Sequence, residues 1–193
     1  MSPITHLLAS WTLAESSKLD ARDRAIVVWV GLSPDLDGLG IIPDVVAQLL
    51  GWTNPELYMQ FHHQLLHGLF GAVLLPALAI LAAHRRISTF CWCVAAFHLH
   101  LACDLVGSRG ATPDDIWPIP YLAPFSDALT ISWSGQWPLN SWNNVAITIG
   151  LLGFMFARTI THNRSVLSLI SSRANDLFTQ TVKHRWNQLR GRM

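Results

Sequence analysis

Charged side chains are scarce in this chain: Asp, Glu, Lys and Arg make up 13% of its 193 residues, about half of the roughly 25% that an ordinary soluble domain carries. No Lys or Arg occurs between residues 25 and 84, and Arg109 is the only one between 87 and 157. Long stretches without a cation exclude a basic nucleic-acid-binding surface over most of the chain. Cysteine is also sparse. Cys91, Cys93 and Cys103 are odd in number and irregular in spacing, which excludes a disulfide framework, and they read as small buried hydrophobes. The N-terminal segment lacks a basic region followed by a long apolar core, so no cleavable signal peptide is expected. There is no internal repeat and no low-complexity segment.

Hydrophobic residues, by contrast, make up 51% of the chain, and nine are Trp. The mean hydropathy is +0.32. Trp favours the membrane–water interface, and the whole composition predicts an all-α, multi-pass helical membrane bundle. Residues 68–83 are uncharged throughout. Residues 87–103 are apolar apart from two His and short hydroxyls, and 143–161 form a third stretch. With its flanks each reaches the roughly 20 residues that cross a bilayer. Weaker helical stretches at about 3–16 and 22–33 are too short to cross at about 1.5 Å per residue and predict a short N-terminal helical hairpin. Residues 1–161 are thus expected to form a membrane-embedded domain, and 162–193 a basic cytoplasmic tail.

The charges that are present are unevenly placed. Residues 158–193 hold seven Lys or Arg against one acid, Asp176, whereas the remainder holds six against eleven. Basic residues cluster at 18–24, at 85–86 and after 157. The positive-inside rule puts all three clusters on the cytoplasmic side of the membrane, with membrane lipid as the partner of the tail rather than nucleic acid.

Antiparallel folding then brings the remaining ionisable groups together. A helix from about 63 runs to the turn at His84-Arg85-Arg86, and a helix from 87 returns to about 105. His63 and His67 thereby meet His100 and Asp104 at the end away from the basic turn. The weaker pair places His6 at the same end, together with Asp35 and Asp37 of Pro34-Asp35-Leu36-Asp37. The Pro- and Trp-rich stretch 105–142 also starts there, as interfacial packing or as a lid over the site. This end is expected to face the periplasm.

His63 and His67 are four apart, as are His100 and Asp104, so each pair shares one helical face. Two such pairs on facing helices are a common way to build a metal site in a bundle. Imidazole suits zinc, and added carboxylates allow zinc, manganese or iron. The expected metal ligands are His6, Asp35, Asp37, His67, His100 and Asp104, with either His62 or His63. Asp35 and Asp37 are the candidate catalytic carboxylates, as ligand or general base, although either could cap a following helix and Asp104 could pair with Arg109. Taken singly, His62, His84, His98, His162 and His184 read as structural hydrogen-bonders.

These residues resemble the YdjM-type family of LexA-binding, inner-membrane-associated, metal-dependent hydrolases. The family pattern has an N-terminal Thr-His, a Pro-Asp-x-Asp turn, a His-Arg-Gly-x-Thr-His-type segment and a later His-x-x-x-Asp. Here Thr5-His6, Pro34-Asp35-Leu36-Asp37, His62-His63-Gln64-Leu65-Leu66-His67 and His100-Leu101-Ala102-Cys103-Asp104 correspond. In that register His62 takes the first His position, and residues 63–66 depart from the Arg-Gly-x-Thr part. The resemblance implies a metal-dependent hydrolase. Location in the membrane points to a lipid or lipid-linked ester or phosphoester as its substrate. The alternative from another class is a non-enzymatic membrane protein that binds metal or haem.

Overall fold

The computed structural model describes residues 1–62 and 64–191. Ser2 accepts a hydrogen bond from the Thr5 amide and starts α1, Pro3–Glu15. Asp20 caps α2, Ala21–Leu32, in the same way. The chain continues without a turn into a 3-10 segment, Ser33–Gly40, and then α3, Ile41–Leu49. A short α4, Leu57–Phe61, precedes α5, Leu69–Ala79, which ends in a 3-10 turn, Ile80–Ala82. The helix α6 covers Arg86–Gly107 and α7 covers Trp142–His162. Between them lies a small antiparallel hairpin, β1 Ile119–Pro120 with β2 Thr130–Ile131. A 3-10 turn at Val166–Leu169 leads to α8, Ser172–Arg190.

This is an all-α membrane bundle, as the composition requires. Among the described residues, three stretches are long and apolar enough to cross a membrane: Ala21–Leu49, Arg86–Gly107 and Trp142–His162. The last two coincide with expected spans. The first replaces residues 68–83, whose helix α5 is only 11 residues long and contains Pro76. Its expected N-terminal flank is not helical, because the amide of Leu66 and the ring of His67 are bonded to Asp37 instead. Residues beyond 162 form the 3-10 turn and α8. Asn175 of α8 accepts from the Ser165 amide and donates to the Asn163 carbonyl, which docks the helix against the end of α7.

Helix direction follows from the contacts. Asp23, at the start of α2, accepts hydrogen bonds from the amides of His84 and Arg85 and from the Thr89 hydroxyl, at the start of α6. The two helices therefore run side by side from the basic end. At that same end Glu15 of α1 is paired with Arg24, Arg158 and Arg164, so α1 and α7 run the opposite way. The core between them is Leu8, Trp11, Val27, Val28, Cys93, Ala96 and Met155 with their neighbours.

Close approach of α1, α2 and α6 depends on Gly31. A Cβ there would lie 2.3 Å from Ser10 Oγ and 3.0 Å from the Ala96 Cβ, whereas one at Gly150 on α7 would meet nothing within 4 Å. Gly31→Ala is expected to lower stability by about 1–3 kcal/mol through overpacking. Gly150→Ala should be neutral or gain up to about 1 kcal/mol from helix propensity. Thermal melts of the two variants in detergent, read side by side, check this.

Candidate metal centre

Five of the sequence-predicted residues meet at the end of the bundle away from Arg85 and Arg86. His6 comes from the first turn of α1, Asp35 from the 3-10 segment, His67 from the chain before α5, and His100 and Asp104 from adjacent turns of α6. His6, His67 and His100 are each buried to within 1% of complete. Such groups are costly in an apolar bundle unless they are paired.

The carboxylate of Asp104 is the point of convergence. Its Oδ1 lies 3.1 Å from His6 Nε2, and its Oδ2 lies 3.1 Å from His100 Nε2 and 3.6 Å from His67 Nε2. His100 Nε2 is 3.5 Å from Asp35 Oδ1 and 3.3 Å from His67 Nε2. The His6 and His100 rings are stacked with centroids 3.7 Å apart. The Met1 amine also donates to Asp104 Oδ1 and to Ser108 Oγ.

The imidazoles are oriented from behind. His100 Nδ1 donates to the Gly31 carbonyl at 2.9 Å, and His67 Nδ1 to Asp37 Oδ2 at 2.9 Å. In neutral rings that arrangement turns both Nε2 lone pairs toward each other. Among the described residues, His6 Nδ1 and Nε2, Asp35 Oδ2 and Asp104 Oδ2 are buried without a hydrogen-bond partner. His6 Nε2 and Asp104 Oδ2 are near their neighbours in distance but lack hydrogen-bond geometry. Acceptors crowded at such distances call for a positive charge between them. Burial favours the neutral His67 ring, yet the nearby Asp104 carboxylate and the hydrogen bond to Asp37 outweigh it and push its pKa up to about 9.

The same atoms fit a metal ion. One ligand atom from each of His6, Asp35, His100 and Asp104 can be chosen so that all lie within 4.8 Å of one another. With bonds of about 2.0–2.1 Å, neighbouring ligands of a tetrahedral zinc stand about 3.3 Å apart, close to the separations seen here.

Asp37 lies one step out. Both of its oxygens are engaged, Oδ1 by His62 Nδ1 at 2.9 Å and Oδ2 by His67 Nδ1 and the Leu66 amide. It does not cap the following helix: α3 has no side-chain cap. Of the two histidines left open by the sequence, His62 is bonded to Asp37. His63 lies outside the described residues. Asp104 pairs with histidines rather than with Arg109. His98 bonds the Val94 carbonyl and the Tyr121 hydroxyl, and His84 bonds Asp20 at the basic end, so both lie away from the centre.

Several residues at the site lie outside the sequence pattern. Ser108, one turn after Asp104, donates to its Oδ1 at 2.7 Å. Gln136, fully buried, donates to the Asp104 and Trp117 carbonyls and accepts from the Trp117 amide. It thereby fastens the 105–142 stretch over the site. A Ser at helical spacing from a buried Asp is a readable signal, but a lone Gln thirty residues away is not. Asp44 accepts from the Leu57 and Tyr58 amides and so positions α4.

A cavity of about 370 Å³ opens over the centre, walled by Asp35, Leu39, Tyr58, His62, Trp117 and Leu139 among others. A second, of about 400 Å³, shares Tyr58, His62 and Trp117 and extends to Asp115 and Asp127. The stretch that carries Trp117 is thus a wall of the site, and its Trp133 and Trp137 rings pack edge to face away from the cavity.

A family model described as YdjM inner membrane protein matches residues 1–186 of the chain. No curated protein and no solved structure matches it.

Proposed function

The chain belongs to the YdjM inner membrane protein family, and we propose that it is a membrane-bound metal-dependent hydrolase of lipid or lipid-linked ester or phosphoester substrates. One observation carries the metal part. The Nε2 atoms of His67 and His100 lie 3.3 Å apart beside Asp104, each ring held through Nδ1 by an acceptor. We assign His6, His67, His100 and Asp104 as the ion's ligands. A divalent cation held there, zinc by its donor set and manganese or iron as further candidates, supplies electrophilic polarisation and brings the pKa of water toward neutrality.

The other roles belong to the chain itself. Asp35 Oδ2 is buried without a partner among the described residues, and Asp35 lines the cavity. It is the carboxylate placed to take a proton from an attacking water. Asp37 acts behind the centre by fixing two rings, the carboxylate–histidine arrangement that tunes many metal sites. The mixed wall of Leu39, Leu139, Tyr58 and Trp117 suits an amphiphile. Carboxylates around the imidazoles favour an ion over haem, which takes axial His, Met, Cys or Tyr. A non-enzymatic metal-binding protein is the second reading, and turnover separates the two.

Metal content, measured on protein purified without chelator, is expected to collapse in His67→Ala and Asp104→Ala and to persist in His84→Ala and His184→Ala. Retention by all four sinks the centre. Against a panel of ester and phosphoester substrates, Asp35→Asn should keep its metal and lose about 10²–10⁴-fold in turnover. Asp37→Asn should weaken metal affinity by about 10–100-fold. A metal-loaded wild-type protein that hydrolyses nothing in the panel rejects the enzyme in favour of the second reading.

We further propose that the site opens to the periplasm. Its support is the collection of Arg22, Arg24, Arg85, Arg86, Arg158 and Arg164 at the opposite end. In a background without Cys91, Cys93 and Cys103, Asp115→Cys should react with an impermeant thiol reagent added to intact cells. Arg85→Cys should react only after lysis. Equal labelling of both from outside overturns the orientation.

A further inference from the structure

The helix α3 carries an apolar face that remains exposed among the described residues. Ile41, Ile42, Val45, Val46 and Leu49 are between 43% and 80% exposed, and the 3.6-residue repeat gathers them on one arc. Asp44 and Ala47, on the other side, are buried. No charged residue occurs from 45 to 55, and Trp52 at the helix end is exposed.

Two features bear on what covers this face. The first membrane-crossing stretch, Ala21–Leu49, ends with α3, and Trp29, Leu36 and Leu39 earlier in that stretch are also exposed. Both ends of the loop are moored at the site end of the bundle: a Cβ on Gly40 would meet the Leu57 backbone at 2.7 Å, and Asp44 bonds the Leu57 and Tyr58 amides. With nine residues, α3 is about 13 Å long and cannot cross a bilayer. An amphipathic helix of this length at a membrane boundary buries its apolar face in the interface.

We propose that α3 lies in the leaflet bordering the metal centre and that a lipid substrate reaches the cavity from that leaflet along it. The occupant of its face is the acyl region of the bilayer. Cavity walls adjoin it on both sides: Gly38 and Leu39 lie just before Gly40 and α3, and Tyr58 donates its own amide to Asp44. Seating α3 at headgroup depth therefore sets the cavity mouth beside the ester or phosphoester groups of the lipids. With no cation between 25 and 84, insertion is apolar and independent of anionic lipid. The substrate route rests on the hydrolase reading, but the seating of α3 does not.

The test uses the full chain in lipid nanodiscs, cysteine-free apart from a spin label at position 46 or 48. The label replacing Val46 should be more accessible to oxygen than to a water-soluble nickel chelate, and the label replacing Gln48 the reverse, with and without anionic lipid. Equal nickel access at both positions overturns the seating. So does spin–spin broadening at 46 that vanishes on dilution with unlabelled protein, because a second copy then covers the face. The route is tested with Val46→Ser/Leu49→Ser. Turnover of a long-chain lipid ester in vesicles should fall about tenfold or more through lost apolar burial, with turnover of a short-chain soluble ester unchanged. An equal fall for both substrates overturns the route. If the wild type turns over neither, the hydrolase reading fails while the spin labels still decide where α3 lies.

Discussion

Everything at the site end of this bundle depends on the carboxylate of Asp104. It sits 4% exposed among three imidazoles that reach it from separate parts of the chain. A buried carboxylate without positive charge nearby costs several kcal/mol, and unpartnered acceptors add about 1–3 kcal/mol each. The contacts on Asp104 therefore do more than bind an ion. They register α1, α6 and the chain before α5 against one another, and Gln136 extends the registration to the capping stretch through the Asp104 carbonyl. Closing this network with a cation would couple metal binding to the packing of the whole end.

The opposite end is tied by the inverse arrangement. Glu15, 4% exposed, is paired with Arg24, Arg158 and Arg164 at 3.3, 2.9 and 3.3 Å. There one acid holds three guanidinium groups, whereas at the site end Asp35, Asp37 and Asp104 meet histidines and no Lys or Arg among the described contacts. The long helices separate the two knots. Because the cations are concentrated at one end, orientation in the membrane and the chemistry of the centre follow from one charge distribution.

Much of this arrangement is legible in the amino-acid sequence. Helical spacing within His100-x-x-x-Asp104, the basic turn at 84–86 and the apolar runs between them suffice to bring His6, Asp35, His67, His100 and Asp104 to one end. Sequence pattern misleads where local geometry departs from a regular helix or turn. Asp35 and Asp37 look equivalent in a turn, but the segment holding them is a 3-10 helix with three residues per turn. Positions two apart then face different ways, so Asp35 lies with His6, His100 and Asp104 while Asp37 lies with His62 and His67. The run at 68–83 looks long enough to span, because hydropathy cannot show that Asp37 captures the residues before it. The apolar run at 41–50 is hidden by Asp44 and the acids before it, which interrupt its charge-free length.

The two carboxylates of Pro34-Asp35-Leu36-Asp37 divide a task that neither could perform alone. A carboxylate that accepts three N–H donors, as Asp37 does, has little lone-pair capacity left for a proton or an ion. What it supplies is rigidity, since it holds the His62 ring, the His67 ring and the Leu66 amide on one carboxylate. Asp35, two residues away, keeps a buried oxygen without a partner among the described residues. A cavity wall needs both properties: rings that stay in place and an oxygen that can change its protonation. Because the 3-10 segment runs directly into α3, the same stretch of backbone that aims Asp35 at the centre also sets where α3 meets the membrane. The proposed depth of the site in the bilayer and the placement of its proposed general base are therefore set by one element.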